Sequence, residues 1–208
     1  MQEKEWESTF GDEYTERNLL NEDLDELNMK VYGLTQKELA EEFLSGIDRS
    51  AKILEVGSNI GSQLVYLEKM GFKNLYAIEL NKKSIEICRQ KNNNINVVYG
   101  SALDIPFKDD YFDLVFTAGL LLHIAPENLK KAMHEIQRCS KRYIWCLEPF
   151  SESIQEVCYH GENNMMWKGN FCKIFLENFS NVKLVKKRKL KYLENNNFDK
   201  MFLLEKHD

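Results

Sequence analysis

From residue 51 onward, short apolar runs alternate with stretches in which apolar residues recur at helical spacing. The runs have the length of buried strands, and the periodic stretches have the pattern of amphipathic helices. We predict strands at 51–56, 74–79, 95–100, 112–117 and 142–147. We predict helices at 61–70, 82–92, 126–138 and 170–178. This alternation predicts an α/β fold, in which a mostly parallel sheet carries helices on both faces.

The last two apolar runs, 181–190 and 198–205, break this alternation. Only residues 191–197 separate them, which is too short for a crossover helix. The spacing therefore predicts an antiparallel hairpin at the end of the chain.

The first thirty residues carry ten acidic and three basic side chains, interrupted by Trp6, Phe10 and Tyr14. A disordered acidic tail would lack such aromatics, so we predict short helices that pack onto the domain. A further helix is predicted at 34–47, opened by a capping box between Thr35 and Glu38. We accordingly predict an N-terminal helical segment, 1–48, that packs over the active site, and a ligand-binding domain at 49–208.

Residues 53–61 have the pattern of a strand, a tight glycine-bearing loop and the start of a helix. The next strand ends on Glu79, twenty-two residues after Gly57. Such a unit lets the loop backbone approach a nucleoside-like ligand, while the carboxylate at the next strand end binds ribose hydroxyls. A βα turn with no ligand is the alternative.

A dinucleotide-binding dehydrogenase would need glycine at positions 59 and 62, where this chain has Asn59 and Ser62. Glu55, Gly57 and Gly61 instead form a pattern that resembles the cofactor loop of S-adenosylmethionine-dependent methyltransferases of the Rossmann-like class. Asn59 stands where that class usually has glycine, and asparagine tolerates the positive φ that the turn requires. The resemblance implies a seven-stranded, mostly parallel sheet with an antiparallel last strand and S-adenosylmethionine as cofactor. The four histidines have no ligand spacing and no paired-aspartate pattern occurs, so we expect no metal.

Two later segments extend this resemblance. Residues 100–107 resemble the adenine-binding segment, with Ser101 in place of the usual aspartate, and residues 112–120 resemble the fourth strand and the active-site lip. The cofactor-binding residues are therefore expected to be Glu55, Gly57, Asn59, Gly61, Glu79, Leu80, Ser101, Ala102, Leu103, Thr117, Ala118 and Gly119.

His123 and Glu148 are the two lip residues able to take a proton near neutral pH. His123, one helical turn past Gly119, is the stronger candidate for a general base toward an acceptor hydroxyl. Glu148 ends the fifth predicted strand and is the second candidate. The alternatives are a core histidine that bonds only to the backbone and a solvated turn carboxylate.

Beyond the class, the chain resembles the pseudaminic acid biosynthesis-associated methylases of bacterial surface-glycan gene clusters. The segments that carry this resemblance are 10–18, 54–61, 112–124 and 135–144, with fainter matches at 159–163 and 167–171. The resemblance implies methyl transfer to an oxygen, or less favourably a nitrogen, of a sugar, a nucleotide-linked sugar or a phosphorylated metabolite. Candidate acceptor-binding residues are Tyr14, Arg17, Tyr159, His160 and Lys168.

Composition limits the partners and the cellular location that we expect for the protein. A formal net charge of −5 argues against a nucleic-acid partner, although the basic cluster at 186–191 keeps an RNA-modifying enzyme as an alternative. An inactive cofactor-binding partner protein is the other alternative. Five cysteines without a C-x-x-C pair, no signal peptide and no membrane-length apolar run predict a cytoplasmic protein without a membrane partner. We expect a monomer or a homodimer.

Overall fold

The computed structural model describes residues 2–20 and 23–207. Its strands are β1 (Lys52–Val56), β2 (Asn74–Glu79), β3 (Ile95–Tyr99), β4 (Phe112–Ala118), β5 (Ser140–Pro149), β6 (Gln155–Glu156), β7 (Trp167–Lys168), β8 (Val182–Lys191) and β9 (Phe198–Lys206). Its helices are α1 (Gln2–Trp6), α2 (Thr9–Leu20), α3 (Leu24–Tyr32), α4 (Gln36–Leu44), α5 (Ser62–Lys69), α6 (Lys82–Lys91), α7 (Pro126–Cys139) and α8 (Phe171–Asn178), with a short 3₁₀ helix at Leu121–His123.

Seven strands form one sheet in the order β3-β2-β1-β4-β5-β9-β8. The first five strands in this order are parallel to one another, whereas β9 runs antiparallel to both β5 and β8. The predicted α/β fold is therefore confirmed, including the antiparallel last strand and the closing hairpin. β6 and β7 form a separate two-stranded ribbon that the sequence pattern does not predict.

Both faces of the sheet are buried, which explains why the central strands are nearly continuous apolar runs. On one face, Ile53 and Phe116 pack in a core that includes residues of α4, α5 and α6. On the other face, Leu54 and Val115 pack with residues of α7 and α8. The parallel strands consequently end at one shared edge, and the loops that follow them are brought together there.

Helix starts follow the predicted capping chemistry. Thr35 accepts a hydrogen bond from the N–H of Glu38, and the Glu38 carboxylate accepts one from the N–H of Thr35. Asn81 caps α6 by accepting from the N–H of Ser84 at 2.9 Å. Pro126 occupies the first turn of α7, as predicted. None of the helices in the described ranges is long and apolar enough to cross a membrane.

β5 is longer than predicted, because β9 pairs with it from Tyr143 to Pro149. Glu148 lies opposite Lys200 as the last residue but one of β5, close to the strand end at which the sequence placed it. The segment after the fourth strand also differs from expectation, since it closes into the 3₁₀ helix that carries His123.

Candidate active site

A cavity of about 290 Å³ opens at the carboxyl edge of the parallel strands. The loops that follow β1, β2, β3 and β4 form one side of it, and α1 and α2 form another. Its lining residues are Gln2, Glu3, Trp6, Gly11, Tyr14, Gly57, Asn59, Glu79, Leu80, Asn81, Gly100, Ser101, Ala102, Leu103, Gly119, Leu120, His123, Ile124 and Asn128.

The loop after β1 carries three left-handed residues: Gly57 at φ 73°, Asn59 at φ 48° and Gly61 at φ 82°. The positive φ predicted for Asn59 is confirmed. The φ of Gly57 favours glycine at that position, and a Cβ there would lie 2.6 Å from Cδ1 of Leu120, so that the Leu120 side chain at the lip would have to shift. Gly61 does not line the cavity, and a Cβ there would meet Sγ of Cys88 at 2.8 Å.

Glu79, at the end of β2, holds this loop through its carboxylate. Oε2 accepts from the N–H of Asn59 at 2.8 Å, and Oε1 accepts from the N–H groups of Leu80 and Asn81, each at 2.8 Å. Burial raises the pKa of Glu79, and the three backbone donors work against that rise. A carboxylate offers about four lone-pair sites, so one remains for a ligand hydroxyl.

Two buried acceptor atoms in the same region have no hydrogen-bond partner among the described residues: Oε2 of Glu55 and Oδ1 of Asn59. Burial raises the pKa of Glu55 well above its ordinary value, and the nearby Glu79 raises it further. Unpaired buried acceptors are costly, so they indicate a donor that the folded chain does not supply. The ammonium group of S-adenosylmethionine can donate to Asn59, which lines the cavity, whereas Glu55 is buried outside the lining; the residues present therefore fit S-adenosylmethionine.

The segment after β3 forms the cavity wall predicted for adenine. Ser101 accepts a hydrogen bond from the N–H of Leu103 at 2.9 Å. Its hydroxyl donates to the carboxylate of Glu3, on α1. The segment that replaces the usual aspartate with Ser101 thus gains a carboxylate from the N-terminal helix.

Hydrogen bonds to two separate parts of the domain hold α1 and α2 over the cavity. The Gln2 amide oxygen accepts from the N–H of Ala125 at 3.0 Å. Asn81 donates to the carbonyl of Trp6 at 3.2 Å and to the carboxylate of Asp12 at 2.8 Å.

Thr15 completes this attachment from the interior of α2, where it is fully buried. Its hydroxyl donates to the carbonyl of Gly11 at 2.8 Å and lies 2.5 Å from the hydroxyl of Ser84. The amide of Asn59 donates to both hydroxyls, at 3.3 and 3.2 Å. The cofactor loop, α6 and α2 therefore share one polar cluster.

His123 lines the cavity and is 6% exposed. Its Nδ1 lies 2.7 Å from the carbonyl oxygen of Met165. Because a carbonyl can only accept, Nδ1 carries the proton and Nε2 holds the lone pair. Burial lowers the pKa of His123 to about 4, so the imidazole is neutral at physiological pH.

Glu148 does not line the cavity. It is 1% exposed, and its carboxylate accepts from the Thr117 hydroxyl at 2.8 Å. It also accepts from three successive backbone N–H groups, those of Leu120, Leu121 and Leu122, at 3.1–3.3 Å. Burial raises the pKa of Glu148 to about 7. Its oxygens are directed to the chain that forms the lip and not to the cavity.

The residues predicted to bind the acceptor lie in different places, and only some of them are near the cavity. Tyr14 lines the cavity, and burial raises its pKa to about 12. The guanidinium carbon of Arg17 lies 5.8 Å from the Tyr14 ring centroid, outside the lining. Tyr159 contacts the ring of His123, whereas the exposed His160 contacts Tyr159. Lys168 donates to Asn197 at 3.2 Å, away from the cavity.

Of the twelve cofactor candidates, eight line the cavity and four do not. Those that do not are Glu55, Gly61, Thr117 and Ala118. Sequence reasoning did not assign a binding role to Trp6, Gln2 or Glu3, although the aromatic residues within the acidic segment were a signal that this segment packs on the domain. The described residues contain no group of three or more side chains able to hold a metal ion.

Residues 54–144 match the model of a family described as a methyltransferase domain. Over 139 residues the chain is 24% identical to phosphoethanolamine N-methyltransferase of Plasmodium falciparum, covering 64% of this chain and 49% of that protein. The chain spans 38–52% of the length of the curated relatives that it matches.

Two solved structures share the fold. One is Burkholderia thailandensis 1,6-didemethyltoxoflavin-N1-methyltransferase with its acceptor and S-adenosylhomocysteine bound, at a TM-score of 0.71, 12% identity, and coverage of 94% of this chain and 84% of that chain. The other is an S-adenosylmethionine-dependent methyltransferase of Methanosarcina mazei, at a TM-score of 0.66, 14% identity, and coverage of 78% and 95%. The chain thus carries a methyltransferase-like region on the Rossmann-like fold of the S-adenosylmethionine-dependent methyltransferases.

Proposed function

We propose that the protein is an S-adenosylmethionine-dependent methyltransferase that acts on a small acceptor. The observation that carries the proposal is the cavity at the carboxyl edge, where Gly57, Glu79, Ala102 and Gly119 come from four successive strand–loop junctions. Glu79 would hold the ribose, and the wall at Ala102 and Leu103 would face the adenine. When bound, S-adenosylmethionine supplies a methyl group on a positively charged sulfur, already activated for in-line displacement.

The residues of the chain would contribute alignment and exclusion of water. α1 and α2 cover the cavity and the 3₁₀ helix forms its lip, so an acceptor enclosed there is held against the methyl donor. The enclosure of the cavity by α1, α2 and the lip supports a small molecule as acceptor. The resemblance noted above favours a sugar or sugar nucleotide of bacterial surface-glycan biosynthesis, in the cytoplasm, and both an oxygen and a nitrogen are candidate target atoms.

The test is calorimetric binding of S-adenosylhomocysteine to the full chain, with Glu79→Ala as the diagnostic variant. Loss of the carboxylate should weaken binding by about 1–3 kcal/mol, because ribose hydroxyls lose a charged acceptor. Glu86→Ala, on the exposed face of α6, is the matched control and should bind like the parent. Equal affinity in all three proteins would contradict the assignment of the cavity.

Binding alone would also suit an inactive cofactor-binding protein, so turnover must be measured separately. Loaded enzyme incubated with small-molecule acceptors should convert S-adenosylmethionine to S-adenosylhomocysteine faster than it does without an acceptor. An enzyme that binds the cofactor tightly but turns over no acceptor would favour the inactive partner protein.

A further inference from the structure

Three aromatic rings form one corner of the cavity: Trp6, Tyr14 and His123. The ring centroids of Trp6 and His123 are 4.5 Å apart, those of Trp6 and Tyr14 are 5.3 Å apart, and those of Tyr14 and His123 are 5.8 Å apart. We name these residues the aromatic corner. It is formed jointly by the N-terminal helices and the lip, and it includes none of the strand-end residues expected to hold the cofactor.

The charge of the lining is negative. Among the described residues that line the cavity, Glu3 and Glu79 are acidic and none is a lysine or an arginine. The two cations that the sequence offered for an anionic acceptor, Arg17 and Lys168, lie outside the lining. Aromatic faces attract cations, and carboxylates repel anions. The aromatic corner of the cavity therefore favours a neutral or cationic acceptor group over an anionic one.

The groups near the aromatic corner also lack a base suited to an alcohol. Nδ1 of His123 is engaged by the Met165 carbonyl, and burial holds the pKa of the imidazole near 4. The carboxylate of Glu148 accepts four hydrogen bonds from donors of the protein itself, so its oxygens are engaged and do not face the acceptor. Tyr14, whose pKa is raised to about 12, stays protonated. An alcohol acceptor needs its proton removed during attack, whereas an amine attacks with its own lone pair.

Building on the proposed methyltransferase function, we propose that the acceptor is a small amine, bound in the aromatic corner and methylated on nitrogen. The amine enters as its ammonium ion and first gives one proton to water. The neutral amine then forms a nitrogen–carbon bond to the methyl group while the carbon–sulfur bond breaks, and that electron pair stays on sulfur. The nitrogen gains the positive charge and then releases one proton to solvent. Nε2 of His123 accepts a hydrogen bond from an amine N–H, which directs the lone pair, and the ring faces stabilise the developing ammonium.

The experiment uses the full chain and begins with S-adenosylhomocysteine binding, so that failure of the proposed function is seen first. Protein saturated with S-adenosylhomocysteine is then titrated with matched probes on three skeletons. These are propylamine, propan-1-ol and propionate; benzylamine, benzyl alcohol and benzoate; and glucosamine, glucose and glucuronate. We expect the best-bound skeleton to favour its amine over its alcohol at least tenfold and its carboxylate to bind least. Methyl transfer to the same amine should appear on nitrogen by mass spectrometry.

Variants of the aromatic corner separate this binding mode from a general loss of fold. Trp6→Leu and Tyr14→Leu should each lower the amine-to-alcohol affinity ratio about threefold or more, because the ring face is lost and apolar bulk is kept. Tyr111→Leu, at the opposite end of β4, is the matched aromatic control and should keep the ratio.

Preference for an alcohol or a carboxylate, or a methyl group found on oxygen, would overturn the amine proposal. So would failure of every amine to bind a protein that binds S-adenosylhomocysteine normally. If S-adenosylhomocysteine itself does not bind, the proposed function fails and the amine proposal fails with it.

Discussion

The carboxylate of Glu148 accepts one hydroxyl and three successive N–H groups, and all four donors lie between Thr117 and Leu122. Successive backbone N–H groups that converge on one anion form a compact anion site. Here the carboxyl group that occupies this site belongs to the protein, so its effect is to fix the turn that places Leu120 over Gly57 and His123 beside the cavity. Glu148 is in this interpretation a positioning residue.

The titration of Glu148 predicts a pH-dependent stability. Its pKa is raised to about 7 by burial, so between roughly pH 4.5 and 7 the folded chain holds a proton that the unfolded chain has lost. The folded state binds more protons in this window, and its free energy of unfolding therefore falls as pH rises. Glu148→Gln removes this dependence, and relative to the parent the variant should gain up to about 3 kcal/mol between pH 4.5 and 8.

Urea unfolding of the parent and of Glu148→Gln at pH 5, 6.5 and 8 measures this difference in the free energy of unfolding. His123 is present in both proteins, so its contribution to the pH dependence cancels. Glu152→Gln, at an exposed site, is the control and should track the parent at each pH. A stability difference between parent and Glu148→Gln that does not change with pH would contradict the raised pKa.

The variant His123→Asn tests how much proton transfer by His123 contributes to kcat. The asparagine amide can replace Nδ1 as donor to Met165, so the turn should be retained. We expect kcat to fall less than about tenfold, because a general base would contribute about 10²–10⁴-fold and this imidazole is a weak base. The parent should show no inflection from His123 between pH 6 and 8.

Steady-state kinetics across that pH range, with cofactor affinity measured in parallel, checks the prediction. His134→Asn, on an exposed face of α7, is the control. A loss above a hundredfold with cofactor affinity unchanged would restore His123 as general base.

At the scale of elements, the strand ends could be predicted and the N-terminal cover could not be predicted in detail. Gly57 and Glu79 follow apolar runs whose parallel pairing brings their ends to one edge, so their neighbourhood follows from the strand pattern. Trp6 and Gln2 reach the cavity through tertiary hydrogen bonds to Asn81 and Ala125, which no local periodicity encodes.

The close packing of α1 against α2 gives a test of the cover that leaves the sheet untouched. A Cβ on Gly11 would lie 1.9 Å from the carbonyl oxygen of Trp6 and 2.9 Å from Nδ2 of Asn81. Gly11→Ala must therefore displace α1, and with it Trp6 and Glu3 from the cavity wall. We expect weaker S-adenosylhomocysteine binding and a larger loss of turnover, measured by calorimetry and initial rates.

Gly46→Ala is the matched control, because a Cβ at that position meets no atom within 4 Å. It should behave like the parent in both measurements. Full turnover by Gly11→Ala would show that α1 is only a surface extension.

At the scale of the whole molecule, the basic side chains of β8 are less available to bind RNA than the sequence suggests. Lys186 and Arg188 both form ion pairs with Glu42, on α4. The exposed lysines of the cluster are on the alternate positions 187, 189 and 191. An RNA-modifying function would have to rely on these remaining charges, within a chain whose formal net charge is −5.

The cavity also links parts of the chain that are far apart in sequence, from Gln2 to Asn128. A ligand that contacts all of these walls binds the folded chain only, and at one hundred times its Kd it should add about 2.7 kcal/mol to the free energy of unfolding. For a chain of this size, that corresponds to a rise in Tm of roughly 5–10 °C. Differential scanning calorimetry with S-adenosylhomocysteine measures the rise. Adenosine at the same concentration should give a smaller rise, because it cannot reach the unpaired acceptor of Asn59 and therefore binds with a larger Kd. An equal rise at equal concentration would mean that this acceptor does not contact the amino-acid end of the cofactor.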